Sequence, residues 1–171
     1  KTPVVLQKFL TSRNFEGALE LLENNRGFAS PETYQRVAFY RGLELFLEEQ
    51  YPEALTLFEK SLQGGKDPVF EARARYWKAE SAYNLGQFEE ARGDYRRFKS
   101  LPAGRNLKEH EDLDYQLAYA SFKLKDYGNA VASFSEYTAQ GRSGPRQADA
   151  FMRLGDSYFV TSKYQQAISA Y

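Results

Sequence analysis

The single histidine, His110, stands between Glu109 and Glu111. An imidazole beside carboxylates is the ordinary starting point for acid–base chemistry near neutral pH. Nothing else in the chain supports that use. No His-Glu-x-x-His metal motif can be built from one histidine, and Cys is 0, so thiolate nucleophiles, thiolate metal sites and disulfides are excluded. No Gly-x-Ser-x-Gly, Walker or Gly-x-Gly-x-x-Gly pattern occurs. Gly64-Gly65-Lys66 lacks the first glycine and the final Ser/Thr of a phosphate loop and reads as a turn. Carboxylates are plentiful, but no spacing fixes a pair in a buried pocket. His110 therefore reads as a surface helix residue, and the expectation is a protein without catalysis, cofactor or metal. Arg92, Arg96 and Lys99 share a helical face, with Arg97 beside them. A phosphate or acidic partner and a plain solvated face are both open there, and the acidic run Glu109, Glu111, Asp112, Asp114 lies near enough in sequence to offset it.

The chain has 171 residues, with 23 Lys+Arg against 23 Asp+Glu. A neutral balance argues against a dedicated nucleic-acid binder, whose affinity comes mainly from basic charge. With 42% hydrophobic and 27% charged residues the chain is a folded domain rather than a disordered tail. No apolar run approaches the ~20 residues that span a bilayer. The chain starts at Lys1 without an initiator Met, and its last residue, Tyr171, falls within an expected helix. Those features lead to the expectation of a piece of a longer array whose ends could self-associate. The outlying feature is aromatic content, with 13 Tyr and 13 Phe.

The aromatics recur in register. An aromatic-x-x-Ala element occurs as Phe15…Ala18, Tyr51…Ala54, Phe88…Ala91, Tyr127…Ala130 and Tyr164…Ala167, with Ala-to-Ala spacings of 36, 37, 39 and 37. Four residues past each Ala stand Leu22, Phe58, Tyr95, Phe134 and Tyr171. Five before each aromatic stand Leu10, Phe46, Tyr83, Phe122 and Phe159. Twelve before the Ala stand the small residues Gly42, Ala79, Ala118 and Gly155, and in the first unit Leu6. Within units the apolar positions follow i, i+3, i+4, i+7, so each unit reads as two antiparallel helices. The small column and the repeated Ala let the two backbones approach, and the aromatic before the Ala fills their turn.

Helix starts are marked by Ser30-Pro31, Asp67-Pro68 and Gly144-Pro145, and by Asn106 with Glu109 as a capping box. First helices are expected from these points to about Glu48, Leu85, Leu124 and Thr161. Second helices are expected over 52–63, 88–100, 127–139 and 164–171, after a clipped pair at 3–12 and 15–24. The expected architecture is all-α, a single array of about five units at 1–27, 31–64, 68–101, 106–140 and 145–171, the first and last partial.

These residues resemble the tetratricopeptide repeat (TPR) family. The clearest units are Leu154-Gly155-Asp156-Ser157-Tyr158-Phe159…Tyr164-Gln165-Gln166-Ala167…Tyr171 and Trp77…Ala79…Tyr83…Leu85-Gly86-Gln87-Phe88…Ala91…Tyr95. The resemblance covers essentially the whole chain. It implies a right-handed superhelical solenoid of antiparallel helix pairs and a role in protein–protein interaction. The spacing exceeds the usual 34, and the Leu-Gly pair survives only in the last unit. Lengthened repeats of this kind resemble those of bacterial cell-envelope scaffolds, BamD-like lipoproteins among them, and of large multi-repeat bacterial TPR proteins. A bacterial periplasmic or cell-envelope location is the matching expectation.

Such a solenoid has a concave face lined by one stripe of each first helix. Counting along the helices gives Arg36, Phe39, Leu43 and Phe46; Arg73, Tyr76, Glu80 and Tyr83; Asp112, Tyr115, Tyr119 and Phe122; and Asp149, Met152, Asp156 and Phe159. The candidate groove for a protein or peptide partner is Arg36, Phe39, Leu43, Arg73, Tyr76, Glu80, Tyr115, Tyr119, Asp149, Met152 and Asp156, with Tyr76, Tyr115 and Tyr119 foremost. Every aromatic in it has a second reading, as core. Charge shifts along the stripe from Arg36 and Arg73 to Asp112, Asp149 and Asp156, which could orient a ligand. The Lys/Asn/Arg clamp by which some members of the family hold carboxylate tails is not present. Two other readings stay open: a spacer or self-assembly module that leaves the groove empty, and an RNA-binding helical repeat, which the neutral charge disfavours.

Overall fold

A computed structural model describes residues 2–171. Among these residues ten α-helices follow one another: α1 (Val4–Thr11), α2 (Phe15–Asn24), α3 (Pro31–Leu47), α4 (Tyr51–Gly64), α5 (Pro68–Asn84), α6 (Phe88–Ser100), α7 (Leu113–Lys123), α8 (Tyr127–Ala139), α9 (Pro145–Val160) and α10 (Tyr164–Ala170). No strand occurs among the described residues. Odd and even helices pair antiparallel, and the pairs stack into a right-handed solenoid.

The repeat columns explain the pairing. Ala18, Ala54, Ala91 and Ala130 are fully buried, as are Leu22, Phe58, Tyr95 and Phe134 four residues on. The small column receives those large side chains. A Cβ on Gly42 would stand 2.9 Å from the Phe58 ring, and one on Gly155 would stand 2.5 Å from that of Tyr171. A residue with a longer side chain in that column would hold the two helices apart.

The turn inside each unit is the same five times. Its penultimate residue before the second helix adopts positive φ: Arg13 at 58°, Glu49 at 61°, Gly86 at 77°, Lys125 at 59° and Ser162 at 62°. In each, the backbone N–H of that residue donates three residues back and the next N–H donates five back, as with Glu49 to Phe46 and Gln50 to Leu45. This is the Schellman ending, which satisfies the last carbonyls of the first helix. Only Gly86 has the residue type that adopts this conformation freely. Above the turn the two flanking rings meet edge to face: Phe46–Tyr51 at 5.3 Å, Tyr83–Phe88 at 5.1 Å, Phe122–Tyr127 at 5.7 Å and Phe159–Tyr164 at 5.4 Å between centroids.

Between units, Ser30 accepts from the Thr33 N–H and Asp67 from those of Val69 and Phe70, and Pro31, Pro68 and Pro145 each open a helix. Unit four corrects the expected helix start. Asn106 and Glu109 form no capping box. The chain makes two 3-10 turns there, Pro102–Gly104 and Lys108–Asp112, and α7 starts only at Leu113 with 11 residues. Pro102 and Gly104 favour a turn after Ser100, and Leu101, Ala103 and Leu107 bury their side chains against Phe98 and its neighbours. The residues that lengthen this repeat thus form a packed strap instead of extra helix.

Candidate functional site

The first helices lie side by side, and side chains cross from each to the next. Phe46 on α3 meets Trp77 on α5 with ring centroids 5.1 Å apart. Phe39 on α3 meets Phe70 on α5 at 5.4 Å. From α7 the hydroxyls of Tyr115, at 2.8 Å, and Tyr119 both donate to Asp149 Oδ2 on α9. Arg146 at the start of α9 pairs with Asp112 and lies over the Tyr115 ring, 5.5 Å from its centroid.

The candidate residues divide into three groups. Phe39 and Tyr76 are core, which corrects their assignment to the groove. Phe39 is fully buried against Phe58 and Phe70, and Tyr76 is 6% exposed among Trp77, Tyr95 and Phe98. The reason is geometric: both sit where the second helix of their own unit closes over the first. The same position in unit five is Met152, which is 53% exposed.

Leu43, Arg73, Glu80, Tyr115, Tyr119, Asp149 and Asp156 are half-buried and engaged. Leu43 packs on the α3–α5 core. Arg73 Nε donates to Glu109 Oε1 at 2.8 Å. Glu80 accepts from the Tyr95 hydroxyl at 2.5 Å. Burial pushes the Glu80 carboxyl up, against the pull of the Tyr95 and Tyr76 hydroxyls and Arg146, with Asp112 adding to the rise. Asp156 accepts from Arg153 at 2.6 Å and from the Tyr171 hydroxyl at 2.6 Å. Burial also raises the hydroxyls of Tyr115 and Tyr119, reinforced by their bonds to Asp149. Tyr83 is pushed up to about 12, mainly by burial, with smaller contributions from Tyr119 and Glu80. These tyrosines are neutral at physiological pH, and Tyr115 and Tyr119 act as donors.

Arg36 and Met152 form the third group, exposed to solvent. Arg36 makes no ion pair among the described residues and lies 5.9 Å from the Phe70 ring centroid. Phe159, at the end of the same stripe, is also exposed. The inner face is therefore an aromatic and hydroxyl floor, cross-braced by ion pairs, with open positions at its two ends.

The sequence reading did not foresee Glu109, Arg146 and Arg153 as members of this surface. Arg146 and Arg153 lie three residues before and four after Asp149, a helical spacing that carries the signal. Glu109 had no such signal, because it comes from the strap. On the outer side the basic run is largely neutralised. Arg92 pairs with Asp126 at 2.7 Å and with Glu89, Lys99 with Asp114 and Glu136, and Arg97 with Glu71. His110 is half-buried with its ring 6.1 Å from that of Phe98. Among the described residues no cluster of His, Asp and Glu is arranged to hold a metal ion, and no helix is long and apolar enough to cross a membrane.

The family model of the tetratricopeptide repeat matches residues 39–105 and 115–171. A search of curated proteins gave no match. Among solved structures, the chain is similar to MamA, with TM-score 0.70 and 14% identity over 99% of this chain and 92% of that one. It is similar to YrrB, described as a TPR protein with an unusual peptide-binding site, with TM-score 0.71 and 20% identity over 96% of this chain and 78% of that one. It is also similar to a putative kinesin light chain of Podosopora anserina with nearly identical TPR-like repeats, with TM-score 0.65 and 16% identity over 96% and 87%. At these identities the likeness is one of fold.

Proposed function

Because the chain belongs to the tetratricopeptide-repeat family, whose fold serves as a scaffold for protein–protein interaction, we propose that it binds an extended peptide or partner segment along the inner face of its first helices. The observation that carries this reading is the composition of that face. Rigid aromatic rings and neutral tyrosine hydroxyls line it, already ordered by Asp149, Arg153 and Glu80, so a ligand meets a surface whose side-chain entropy has been spent on folding. Met152 and Phe159 offer exposed apolar area at the end of the stripe. On this reading the scaffold is non-catalytic, and the inner-face carboxylates Glu80, Glu109, Asp149 and Asp156 serve to brace neighbouring side chains.

Affinity capture from the source organism's lysate tests the reading. The bait is the wild-type chain, with R36E/M152E as the inner-face variant and R96E as the outer-face variant. All three substitutions fall at exposed positions, so the fold is preserved. The expected result is a protein held by wild type and R96E and lost by R36E/M152E. Equal retention by all three would move binding off the inner face. The spacer reading predicts no specific capture by any of them.

A further inference from the structure

The strap between α6 and α7 sends one carboxylate back into the inner face. Glu109, in the 3-10 turn Lys108–Asp112, has a side chain only 9% exposed. One of its oxygens, Oε1, accepts both from Arg73 Nε at 2.8 Å and from the Trp77 indole N–H at 3.3 Å. Those two donors lie one turn apart on α5. The guanidinium of Arg73 is held from below by aromatic rings, its Cζ 4.6 Å from the Phe39 centroid and 5.9 Å from that of Phe70. Both side chains that recognise the carboxylate belong to the repeat framework: a planar cation seated on rings and an indole donor. Only the carboxylate itself comes from the inserted strap.

The charge count around this point leaves room for another anion. Arg36 shares the Phe70 ring with Arg73, each 5.9 Å from its centroid, and makes no ion pair among the described residues. Two guanidiniums thus approach one ring, and only one of them, Arg73, is paired with a carboxylate. The turn that carries Glu109 is held by ion pairs at its far side, Glu111 with Arg142 and Asp112 with Arg146, rather than by caps. Neither end has a side-chain cap, and Lys108 and Glu111 are exposed, while the anchoring burial lies at Leu107 and Leu113 on either side.

We propose that Glu109 is a built-in stand-in for a ligand, and that the Arg36–Arg73–Trp77 site takes an Asp or Glu side chain of an acidic partner segment. Glu109 competes for Arg73 and Trp77, so the free protein holds the site closed, and an acidic segment opens it by displacing the turn. This rests on the reading that the inner face receives a partner segment. It adds the chemistry of that segment at the α3–α5 end.

Trp77 is the one tryptophan of the chain, so its fluorescence reports this site alone. The probe is a terminally blocked peptide, acetyl-Gly-Glu-Gly-Glu-Gly-amide, with its Gln analogue as control, titrated at constant ionic strength. In Glu109→Gln the Glu peptide is expected to shift Trp77 emission saturably, at least tenfold more tightly than in wild type. The Gln peptide gives no shift, and adding Arg73→Gln abolishes the response. A Glu109→Gln protein that keeps its helical circular dichroism but shows no tenfold gain overturns the proposal, as does an equal response to the Glu and Gln peptides. Should Glu109→Gln fail to fold, the wild-type titration decides: no Glu-specific shift up to millimolar peptide overturns it. The two readings fail separately. Loss of the Trp77 response with capture still sensitive to R36E/M152E removes only the acidic-segment site. A Trp77 response with capture indifferent to R36E/M152E keeps the site and removes the groove.

Discussion

Replacing glycine by alanine in mid-helix should have opposite signs at two places in this protein. At Gly93, exposed on α6, an added Cβ meets nothing within 4 Å. The substitution then yields only the helix-propensity difference, a stabilisation of about 0.8–1 kcal/mol. At Gly42 on α3 the added Cβ would stand 2.9 and 3.1 Å from two ring atoms of Phe58 and 3.2 Å from Leu57 Cβ. The ring cannot yield easily, because Phe58 is fully buried and packed on Phe39 at 5.7 Å between centroids. Leu57 Cβ moves only with its backbone. Overpacking of this kind costs about 1–3 kcal/mol, which outweighs the same propensity gain. Gly42→Ala should therefore be neutral to destabilising by about 2 kcal/mol. Denaturant unfolding followed by helical circular dichroism reads both. The reasoning includes a relief test: in a Phe58→Leu background Gly42→Ala should regain most of the propensity benefit, a coupling of about 1–2 kcal/mol. A Gly42→Ala protein stabilised as much as Gly93→Ala would refute the small-residue column as the reason the helices of a unit sit close.

Three further expectations follow from the same structure. Glu49→Gly and Lys125→Gly remove a side chain from a left-handed backbone position and should each stabilise by about 0.5–1 kcal/mol, whereas Gly86→Ala should destabilise by about 1 kcal/mol; unfolding midpoints moving the other way would contradict the turn assignment. Ala91→Leu, at a fully buried helix contact, should lower stability by about 1–3 kcal/mol, and an unchanged midpoint would show that the contact has slack. Glu80 holds its proton more tightly folded than unfolded, mainly through burial, so its contribution to stability is full below the ordinary value of 4.5 and is lost as pH rises through the raised one. The stability of wild type minus that of Glu80→Gln should therefore fall as pH rises from 4.5, and a difference that is flat or rises would exclude the assignment.

Most of the architecture was legible because it is periodic. The columns at Ala54, Ala91 and Ala130 and at Phe58, Tyr95 and Phe134 recur because each unit must bury the same helix contact, and a contact repeated in space is a pattern repeated in sequence. The left-handed turn residue escaped notice for the converse reason. Its conformation is set by the backbone bonds of the Schellman ending, and Arg, Glu, Lys and Ser tolerate it at modest cost. The strap also broke the pattern. Asn106 and Glu109 have capping-box spacing, yet Pro102 and Gly104 turn the chain and Leu107 binds it down before a helix can start. Within the inner face, counting along a helix places a residue on a stripe but does not say which side chains the second helix covers. That is why Tyr76 is core while Tyr115 and Tyr119, on the neighbouring unit, stay half open. Glu109 reaches Arg73 across 36 residues, a separation no local spacing rule detects.

The central claim is that partner binding uses the inner face of the first helices. Hydrogen–deuterium exchange of the chain with and without its captured partner tests this most directly. The account predicts added protection in 36–47, 73–84, 115–123 and 149–160, with the second helices 51–64, 88–100 and 127–139 unchanged. Protection concentrated on the second helices, with the first helices exchanging as before, would contradict it.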